Sequence, residues 1–202
     1  MSEEKSALLI FIKNPEKGKV KTRLAKDIGD DAALEIYKKL LEHTRKVTEG
    51  VDVDRFLFYS DYVVRKDNFS EPIFRKYAQC HGDLGDRMSY AFSIPFKSSY
   101  KKVVIMGSDC WSLTSQHIKD AFSALDNSDY VIGPANDGGY YLLGMKKWQR
   151  ALFVDKAWST DTVLEDTRAQ IEKSGARLSL LEELNDIDNK TDLDSAIGLE
   201  LS

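Results

Sequence analysis

Cysteine, histidine and proline are scarce in this chain of 202 residues, which contains two, three and four of them respectively. Cys80 and Cys110 lack CxxC spacing and a histidine-rich neighbourhood, so the sequence argues against a disulfide framework and against a zinc site. This cysteine usage is typical of a reducing compartment, and we expect a cytoplasmic protein.

Long apolar runs and an excess of positive charge are also missing. No run approaches the roughly 20 apolar residues of a membrane span, and residues 1–6 are polar and acidic, unlike a signal peptide. The net charge of -4, from 29 basic and 33 acidic residues, argues against a nucleic-acid partner, because phosphate backbones demand a positive surface. With 42% hydrophobic and 31% charged residues, the composition is typical of a globular protein, and the length suits one domain over residues 1–202.

A short apolar run at residues 103–106 ends abruptly in Gly107-Ser108-Asp109. The run has the pattern of a strand that is buried on both faces. A carboxylate at the carboxyl end of such a strand lies where open α/β sheets bind ligands. Asp109 is therefore a candidate ligand for a divalent cation that holds the diphosphate of a nucleotide. The alternative is an aspartate that caps a helix or shapes a turn.

A second apolar run, at residues 7–12, precedes a basic loop. This loop contains the turn formers Pro15 and Gly18, and its five basic residues are Lys13, Lys17, Lys19, Lys21 and Arg23. A basic loop after the first strand suits an anionic ligand such as phosphate, and the alternative is a solvated charge run. The loop is not a P-loop, because the pattern GxxxxGK[ST] is absent.

Helical periodicity alternates with apolar runs along the rest of the chain. It predicts helices at 30–48, 84–96, 114–125 and 158–173 with a short helix at the end, and further strands at 56–59, 75–80, 129–133, 140–144 and 177–181. We expect Asp30 or Asp31 to cap the first helix and Thr162 to form a capping box with Glu165. This order predicts one α/β domain built from β-α-β crossovers.

The loop at residues 82–87 precedes a predicted helix and contains Asp83, Asp86 and Arg87. In one interpretation the loop approaches the substrate. In the other it is only a helix start, whose acidic residues complement the helix dipole. Trp158 also has two interpretations: it is either a packed aromatic side chain or a surface on which a nucleotide base stacks.

Aspartates also occur in two later segments. Asp137 precedes Gly138 and Gly139, in either a plain hairpin turn or a place where backbone amides approach a ligand and Asp137 accepts from a sugar or ribose hydroxyl. Asp186 and Asp188 alternate around one residue, so both can face the same side of an extended segment. Two carboxylates placed together are costly without a cation.

These motifs together resemble a bacterial family of small glycosyltransferase-like proteins that are often encoded near radical-SAM and selenodomain genes. The resemblance covers nearly the whole chain and rests on six segments in order: 11–24 with Lys21-Thr22-Arg23-Leu24, 82–88, 107–110, 133–141, 158–160 and 186–188. It implies a compact nucleotide-diphospho-sugar transferase (GT-A) fold, a three-layer αβα sandwich with a mixed, mainly parallel sheet. The chain departs from the family pattern at Trp111, where proline is usual, in its more polar basic loop and after Asp188.

The resemblance also implies a nucleotide site over the first half of the chain and a bound Mg²⁺ or Mn²⁺. The predicted nucleotide contacts are Lys13, Lys21, Thr22, Arg23, Asp83 and Arg87, and the predicted substrate contacts are Gly138, Gly139, Tyr140 and Trp158. The predicted metal ligands are Asp109, Asp186 and Asp188. The predicted catalytic residues are Asp109 and Asp137.

Three functions follow as hypotheses. The first is metal-dependent transfer of a sugar from a nucleotide-sugar donor to a small-molecule acceptor, favoured because the glycine-rich signature loop of sugar pyrophosphorylases is missing. The second is nucleotidyl transfer from an NTP to a phosphorylated small molecule, favoured by the Lys21-Thr22-Arg23-Leu24 segment and the late aspartates. Both need the charge of a diphosphate to be neutralised, which a cation and basic side chains supply. The third is a non-catalytic nucleotide-binding module.

Overall fold

The computed structural model describes residues 4–197, which form a seven-stranded sheet with helices on both faces. The strands are β1 (Ser6–Ile12), β2 (Asp54–Tyr59), β3 (Phe74–Ala78), β4 (Lys102–Met106), β5 (Tyr130–Pro134), β6 (Tyr140–Met145) and β7 (Leu178–Leu180). The helices are α1 (Thr22–Ile28), α2 (Asp30–Glu49), α3 (Leu84–Lys97), α4 (Ser115–Asn127), α5 (Val163–Lys173) and α6 (Lys190–Ile197), with a 3-10 helix at Arg150–Phe153. None of the helices in this part of the chain is long and apolar enough to cross a membrane.

The sheet has the strand order β3-β2-β1-β4-β6-β5-β7. Strand β6 runs antiparallel to β4 and β5, and the other neighbouring pairs are parallel. The mixed, mainly parallel α/β sheet is therefore confirmed. The glycine-rich turn at 135–139 joins β5 and β6 as a hairpin, which was one of its two interpretations.

Each central strand packs against helices on both of its faces. In β1, Leu8 and Ile10 belong to one core layer and Leu9 belongs to the other. The first layer includes Tyr37 of α2, and the second includes Phe92 of α3. Burial on both faces explains why the strand is an unbroken apolar run rather than an alternating one.

Two helix starts differ from the sequence prediction. Helix α2 follows Gly29, so Asp30 and Asp31 occupy its first turn and neither side chain caps it. Thr162 is the N-cap residue of α5, but its side chain makes no capping bond to a backbone N–H, and its hydroxyl instead donates to Asp166 Oδ2 at 3.1 Å. The predicted capping box is wrong for this reason. Helix α1 was not predicted.

The parallel pairing of β1 with β4 places two predicted site segments at one edge of the sheet. Ile10 pairs with Met106, so the basic loop and the turn 107–109 leave the sheet side by side. The backbone N–H of Ile187 donates to the carbonyl oxygen of Asp109 at 3.0 Å. This bond brings the late aspartates to the same edge.

Candidate active site

A cleft of about 680 Å³ opens at the carboxyl ends of β1 and β4. This volume is within the usual range of small-molecule sites, and the position is the one expected for ligands of open α/β sheets. Most of the predicted site residues line the cleft: Lys13, Lys21, Thr22, Arg23, Arg87, Asp109, Asp137, Gly139, Tyr140, Trp158, Asp186 and Asp188.

Lys21 lies at the centre of the site. Its Nζ is 2.9 Å from Asp109 Oδ2 and 3.4 Å from Asp188 Oδ1, and its side chain is only 3% exposed. The residue has a left-handed backbone, with φ of 48°, and α1 begins directly after it. A non-glycine residue in this conformation is strained, and such strain is often found at functional sites.

The side chain and the backbone of Asp188 are both held by polar contacts. Its carboxylate contacts Lys21, and its Oδ2 lies 3.3 Å from Arg23 Nη1. Its backbone N–H donates to Asp192 Oδ2 of α6 at 2.9 Å. The Arg23 side chain is exposed, so its guanidinium remains accessible to a ligand in the cleft.

Asp186 carries the clearest electrostatic signature of the site. Burial, and then the negative charge of Asp109, raise the pKa of Asp186 to about 7. Asp188 and Asp137 raise this pKa further, while Lys21 lowers it. The charges of three other aspartates thus disfavour the ionised form of Asp186, and a bound cation would relieve this repulsion.

The carboxylates fit a divalent cation that is shared with a substrate. Within residues 4–197, no three His, Cys, Asp or Glu side chains are arranged as a complete metal site. Mg²⁺ is commonly held by one or two carboxylates together with substrate phosphates, rather than by an all-protein cage. Asp109 and Asp188, which meet at Lys21, fit this role. The ligand roles of Asp109, Asp186 and Asp188 all stay predictions.

Tyr37 connects the basic loop to the turn after β4. The Tyr37 hydroxyl accepts from the backbone N–H of Lys13 at 2.7 Å and lies 3.3 Å from Ser108 Oγ. Tyr37 and Ser108 are both buried and line the cleft. Burial, and then the charge of Asp109, raise the pKa of the Tyr37 hydroxyl, so it stays neutral.

The turn between β5 and β6 contributes Asp137 and Gly139 to the cleft. Asp137 Oδ1 accepts from the backbone N–H of Gly139 at 2.9 Å. Gly138 is absent from the cleft wall. It has φ of +83°, and an ideal Cβ there would lie 2.1 Å from the carbonyl oxygen of Asp161. The structure thus gives Gly138 a packing role between two loops, and a substrate contact by Gly138 stays a prediction.

Two aromatic residues line the cleft near this turn. Trp158 Nε1 and the Tyr140 hydroxyl are buried and have no hydrogen-bond partner among the described residues. Both side chains nevertheless line the cleft. The polar atoms of these two side chains are therefore not part of the surface that a ligand in the cleft would meet.

Helix α3 contributes Arg87 but not Asp83. Asp83 Oδ1 accepts from the backbone N–H of Asp86 at 2.9 Å, which makes Asp83 the N-cap of the helix. Asp83 does not line the cleft, so the helix-start interpretation describes its position, and a nucleotide contact stays a prediction. The Nε of Arg87 donates to the carbonyl oxygen of Gly82 at 3.1 Å.

Sequence reasoning missed several residues of the cleft wall. The wall also includes Phe11, Ile12, Tyr37, Ser60, Gln79, Leu84, Gly107, Ser108, Ala135, Ser159, Thr160, Asp161 and Val163. Tyr37 looked like one member of the apolar stripe of α2. Gln79 and Ser60 directly follow β3 and β2, and their position after parallel strands was the available signal.

A family model matches residues 43–160 of the chain, and the family is described as "Uncharacterized protein conserved in bacteria (DUF2064)". The chain belongs to this family. No curated protein sequence matches it.

Among solved structures, the chain is similar to a "putative nucleotide-diphospho-sugar transferase" from Desulfovibrio desulfuricans G20. The identity is 30%, the TM-score is 0.89, and the match covers 98% of this chain and 88% of the other. The 4-diphosphocytidyl-2C-methyl-D-erythritol synthase of Anaerococcus prevotii shares 12% identity, with a TM-score of 0.62 and coverage of 97% and 96%. Rv0371c of Mycobacterium tuberculosis H37Rv, solved in complex with manganese, shares 11% identity, with a TM-score of 0.54 and coverage of 98% and 100%.

These likenesses confirm the predicted nucleotide-diphospho-sugar transferase fold for this member of the DUF2064 family. The structure that is 30% identical also supports the prediction that the protein is a transferase. The two structures below 25% identity bear on the fold alone.

Proposed function

We propose that this chain is a cytoplasmic transferase that takes a sugar from a nucleotide-sugar donor, with Mg²⁺ or Mn²⁺, and passes it to a small-molecule acceptor. The observation that carries the proposal is the 2.9 Å contact between Lys21 Nζ and Asp109 Oδ2 in the cleft. It joins the predicted phosphate loop to the predicted metal-binding carboxylate at one point. A metal-bridged diphosphate requires such a meeting.

The basic loop would bind the donor diphosphate. Lys21 neutralises Asp109 and Asp188 in the free protein, and its ammonium is placed to bind phosphate oxygens when a nucleotide enters. Arg23 has an exposed guanidinium and can form two parallel bonds to a phosphate. Asp109 and Asp188 would hold the divalent cation, which supplies positive charge to the leaving diphosphate when it is bound.

The reaction would then need one more group on the acceptor side. The acceptor oxygen forms a bond to the anomeric carbon, the bond from that carbon to the diphosphate breaks, and its electron pair leaves with the nucleoside diphosphate. The acceptor hydroxyl gives up its proton, for which Asp137 is the candidate base. Asp137 Oδ1 is fixed by the N–H of Gly139, and the carboxylate lines the cleft beside the aspartates.

Nucleotidyl transfer is the second candidate. The observation that favours it is the pairing of both Lys21 and Arg23 with Asp188. This contact joins the two segments on which the prediction of nucleotidyl transfer rests. They are the Lys-Thr-Arg-Leu segment at 21–24 and the Asp-Ile-Asp segment at 186–188. In that reaction a phosphorylated acceptor would attack the α-phosphate of an NTP and release pyrophosphate.

Product analysis separates the two reactions. Purified protein would be incubated with Mn²⁺ and either nucleotide sugars or NTPs, together with a mixture of small-molecule acceptors. Sugar transfer releases a nucleoside diphosphate from a nucleotide sugar, whereas nucleotidyl transfer releases pyrophosphate from an NTP. Thermal shift in the same mixtures, with and without Mn²⁺, reports donor binding independently of turnover.

Each result has a defined meaning. Stabilisation by NTPs and by no nucleotide sugar, with release of pyrophosphate, would refute the first proposal and support the second. Nucleotide binding that persists without any divalent cation, and no turnover with any acceptor, would instead identify a non-catalytic binding module.

A further inference from the structure

One end of the cleft is formed by the turn after β5 and by the loop that precedes α5. We call this end the acceptor wing and define it by Asp137, Gly139, Tyr140, Trp158 and Asp161, all of which line the cleft. It adjoins the aspartates proposed to bind metal, because Asp137, Asp186 and Asp188 line the same cleft and the backbone N–H of Asn136 donates to the carbonyl oxygen of Leu184 at 3.3 Å. A second substrate next to the diphosphate would therefore contact this wing.

The two loops of the acceptor wing are packed into one wall. The backbone N–H of Leu164 donates to the carbonyl oxygen of Gly138 at 2.9 Å. At Gly138 the chains approach so closely that an ideal Cβ would lie 2.1 Å from the carbonyl oxygen of Asp161. The carboxylates of Asp137 and Asp161 are thus carried by loops that are fixed against each other.

The charge of the wing is negative and uncompensated. Among the described residues, neither Asp137 nor Asp161 has a basic nitrogen within 4.0 Å of its carboxylate. The basic residues of the cleft come from other elements: Lys13, Lys21 and Arg23 from the loop after β1, and Arg87 from α3. Ionised carboxylates only accept hydrogen bonds, so the wing suits a ligand that donates O–H groups and repels an anion.

The aromatic residues add an apolar surface to these acceptors. Trp158 and Tyr140 line the cleft with their polar side-chain atoms buried, so these side chains offer no polar group to a ligand. Carboxylates next to hydrocarbon faces match a compound that combines O–H donors with C–H surfaces. A phosphorylated compound retains hydroxyl donors, but its phosphate has the same sign of charge as this wall and is repelled by it.

From this arrangement we infer that the acceptor is an uncharged polyhydroxy compound, a sugar, glycoside or polyol, and not a phosphorylated one. The inference rests on the proposed sugar transfer. The attacking group is then an acceptor hydroxyl, whose oxygen bonds to the anomeric carbon, while its proton passes to Asp137 and the electron pair of the broken bond leaves with the nucleoside diphosphate.

Matched acceptor pairs test the inference. Release of nucleoside diphosphate from a nucleotide sugar, with Mn²⁺, would be compared for glucose against glucose 6-phosphate and for glycerol against glycerol 3-phosphate. We expect the neutral member of each pair to react faster, by about tenfold or more, because the phosphate meets two carboxylates of like charge. The variant Asp161→Lys should shift the ratio toward the phosphorylated member, and Glu172→Lys, an equal charge change on the exposed surface of α5, should not.

The outcomes separate this inference from the proposed function. Faster reaction of the phosphorylated members with the wild-type protein would overturn the inference and leave sugar transfer intact. A ratio that Asp161→Lys does not alter, while thermal shift shows normal donor binding by that variant, would also overturn it. Absence of turnover with every nucleotide sugar would refute the proposed function itself, and the inference with it.

Discussion

Tyr37 of α2 and Ser108 of the turn after β4 meet inside the protein, with Tyr37 Oη 3.3 Å from Ser108 Oγ. The same hydroxyl accepts from the backbone N–H of Lys13 at 2.7 Å. One buried side chain therefore fixes the start of the basic loop relative to the turn that carries Asp109. The distance between the predicted phosphate-binding and metal-binding segments depends on this contact.

We expect Tyr37→Phe to lower the free energy of unfolding by about 1–3 kcal/mol, because the Lys13 N–H loses its acceptor. The variant should also weaken the Mn²⁺-dependent thermal stabilisation by nucleotide, since the two segments are no longer held in register. Urea denaturation and thermal shift measure the two effects. Tyr59→Phe is the matched control, because the Tyr59 hydroxyl is bonded to Asp67 outside the cleft. Equal nucleotide binding by both variants would contradict this role for Tyr37.

The apolar runs and the motifs around them predicted the elements that carry the site. The runs at 7–12 and 103–106 are β1 and β4, and their parallel pairing is what brings Lys21 next to Asp109. Helical periodicity located α2, α3 and α4 because each buries one apolar stripe in the core.

Contacts between distant segments were not predictable from local patterns. The sequence pattern indicated only that Tyr37 packs in the apolar stripe of its helix. The hydrogen-bond partners of its hydroxyl, Lys13 and Ser108, are 24 and 71 positions away in the chain. Thr162 and Glu165 matched a capping box in spacing, yet the Thr162 hydroxyl bonds the Asp166 side chain instead. The packing of Gly138 against Asp161 likewise depends on how two loops meet.

The carboxylates at Lys21 yield a prediction for metal dependence. Asp109→Asn and Asp188→Asn should each abolish most of the Mn²⁺-dependent stabilisation by nucleotide, because each removes a hard oxygen ligand with its charge. Both variants should fold, since both side chains are partly exposed. Thermal shift across a Mn²⁺ titration measures the effect, with Asp126→Asn, an exposed partner of Lys102, as the control. Unchanged apparent Mn²⁺ affinity in Asp109→Asn would show that this residue is not a ligand.

Two substitutions at Lys21 separate the function of its side chain from the free-energy cost of its left-handed backbone conformation. Lys21→Ala and Lys21→Gly both remove the ammonium, so both should lose nucleotide binding. Glycine tolerates φ of 48° without strain, so Lys21→Gly should be more stable than Lys21→Ala by about 1 kcal/mol. Urea denaturation of the pair gives this difference. An alanine variant as stable as the glycine variant would mean that the strain at this position is absent or is relieved by movement of the loop.

The packing of Gly138 can be measured against a glycine of the same conformation. Gly29 has φ of +84° with nothing within 4 Å of an ideal Cβ, whereas Gly138 has φ of +83° and meets the carbonyl oxygen of Asp161 at 2.1 Å. Gly29, with ψ of 157°, lies in a region that is essentially open to glycine only, so Gly29→Ala should cost about 1–3 kcal/mol of unfolding free energy from the backbone conformation alone. Gly138→Ala should cost at least about 1 kcal/mol more, because the two loops must separate.

The same pair tests whether the acceptor wing is distinct from the nucleotide site. Separation of the loops displaces Asp161 and Trp158, while Lys21, Arg23 and Asp109 are carried by other segments. Gly138→Ala should therefore retain Mn²⁺-dependent stabilisation by nucleotide and lose transfer to an acceptor, whereas Gly29→Ala should retain both. Parallel thermal-shift and turnover measurements on the two variants decide the point. Loss of nucleotide binding in Gly138→Ala but not in Gly29→Ala would mean that the turn after β5 also holds the donor.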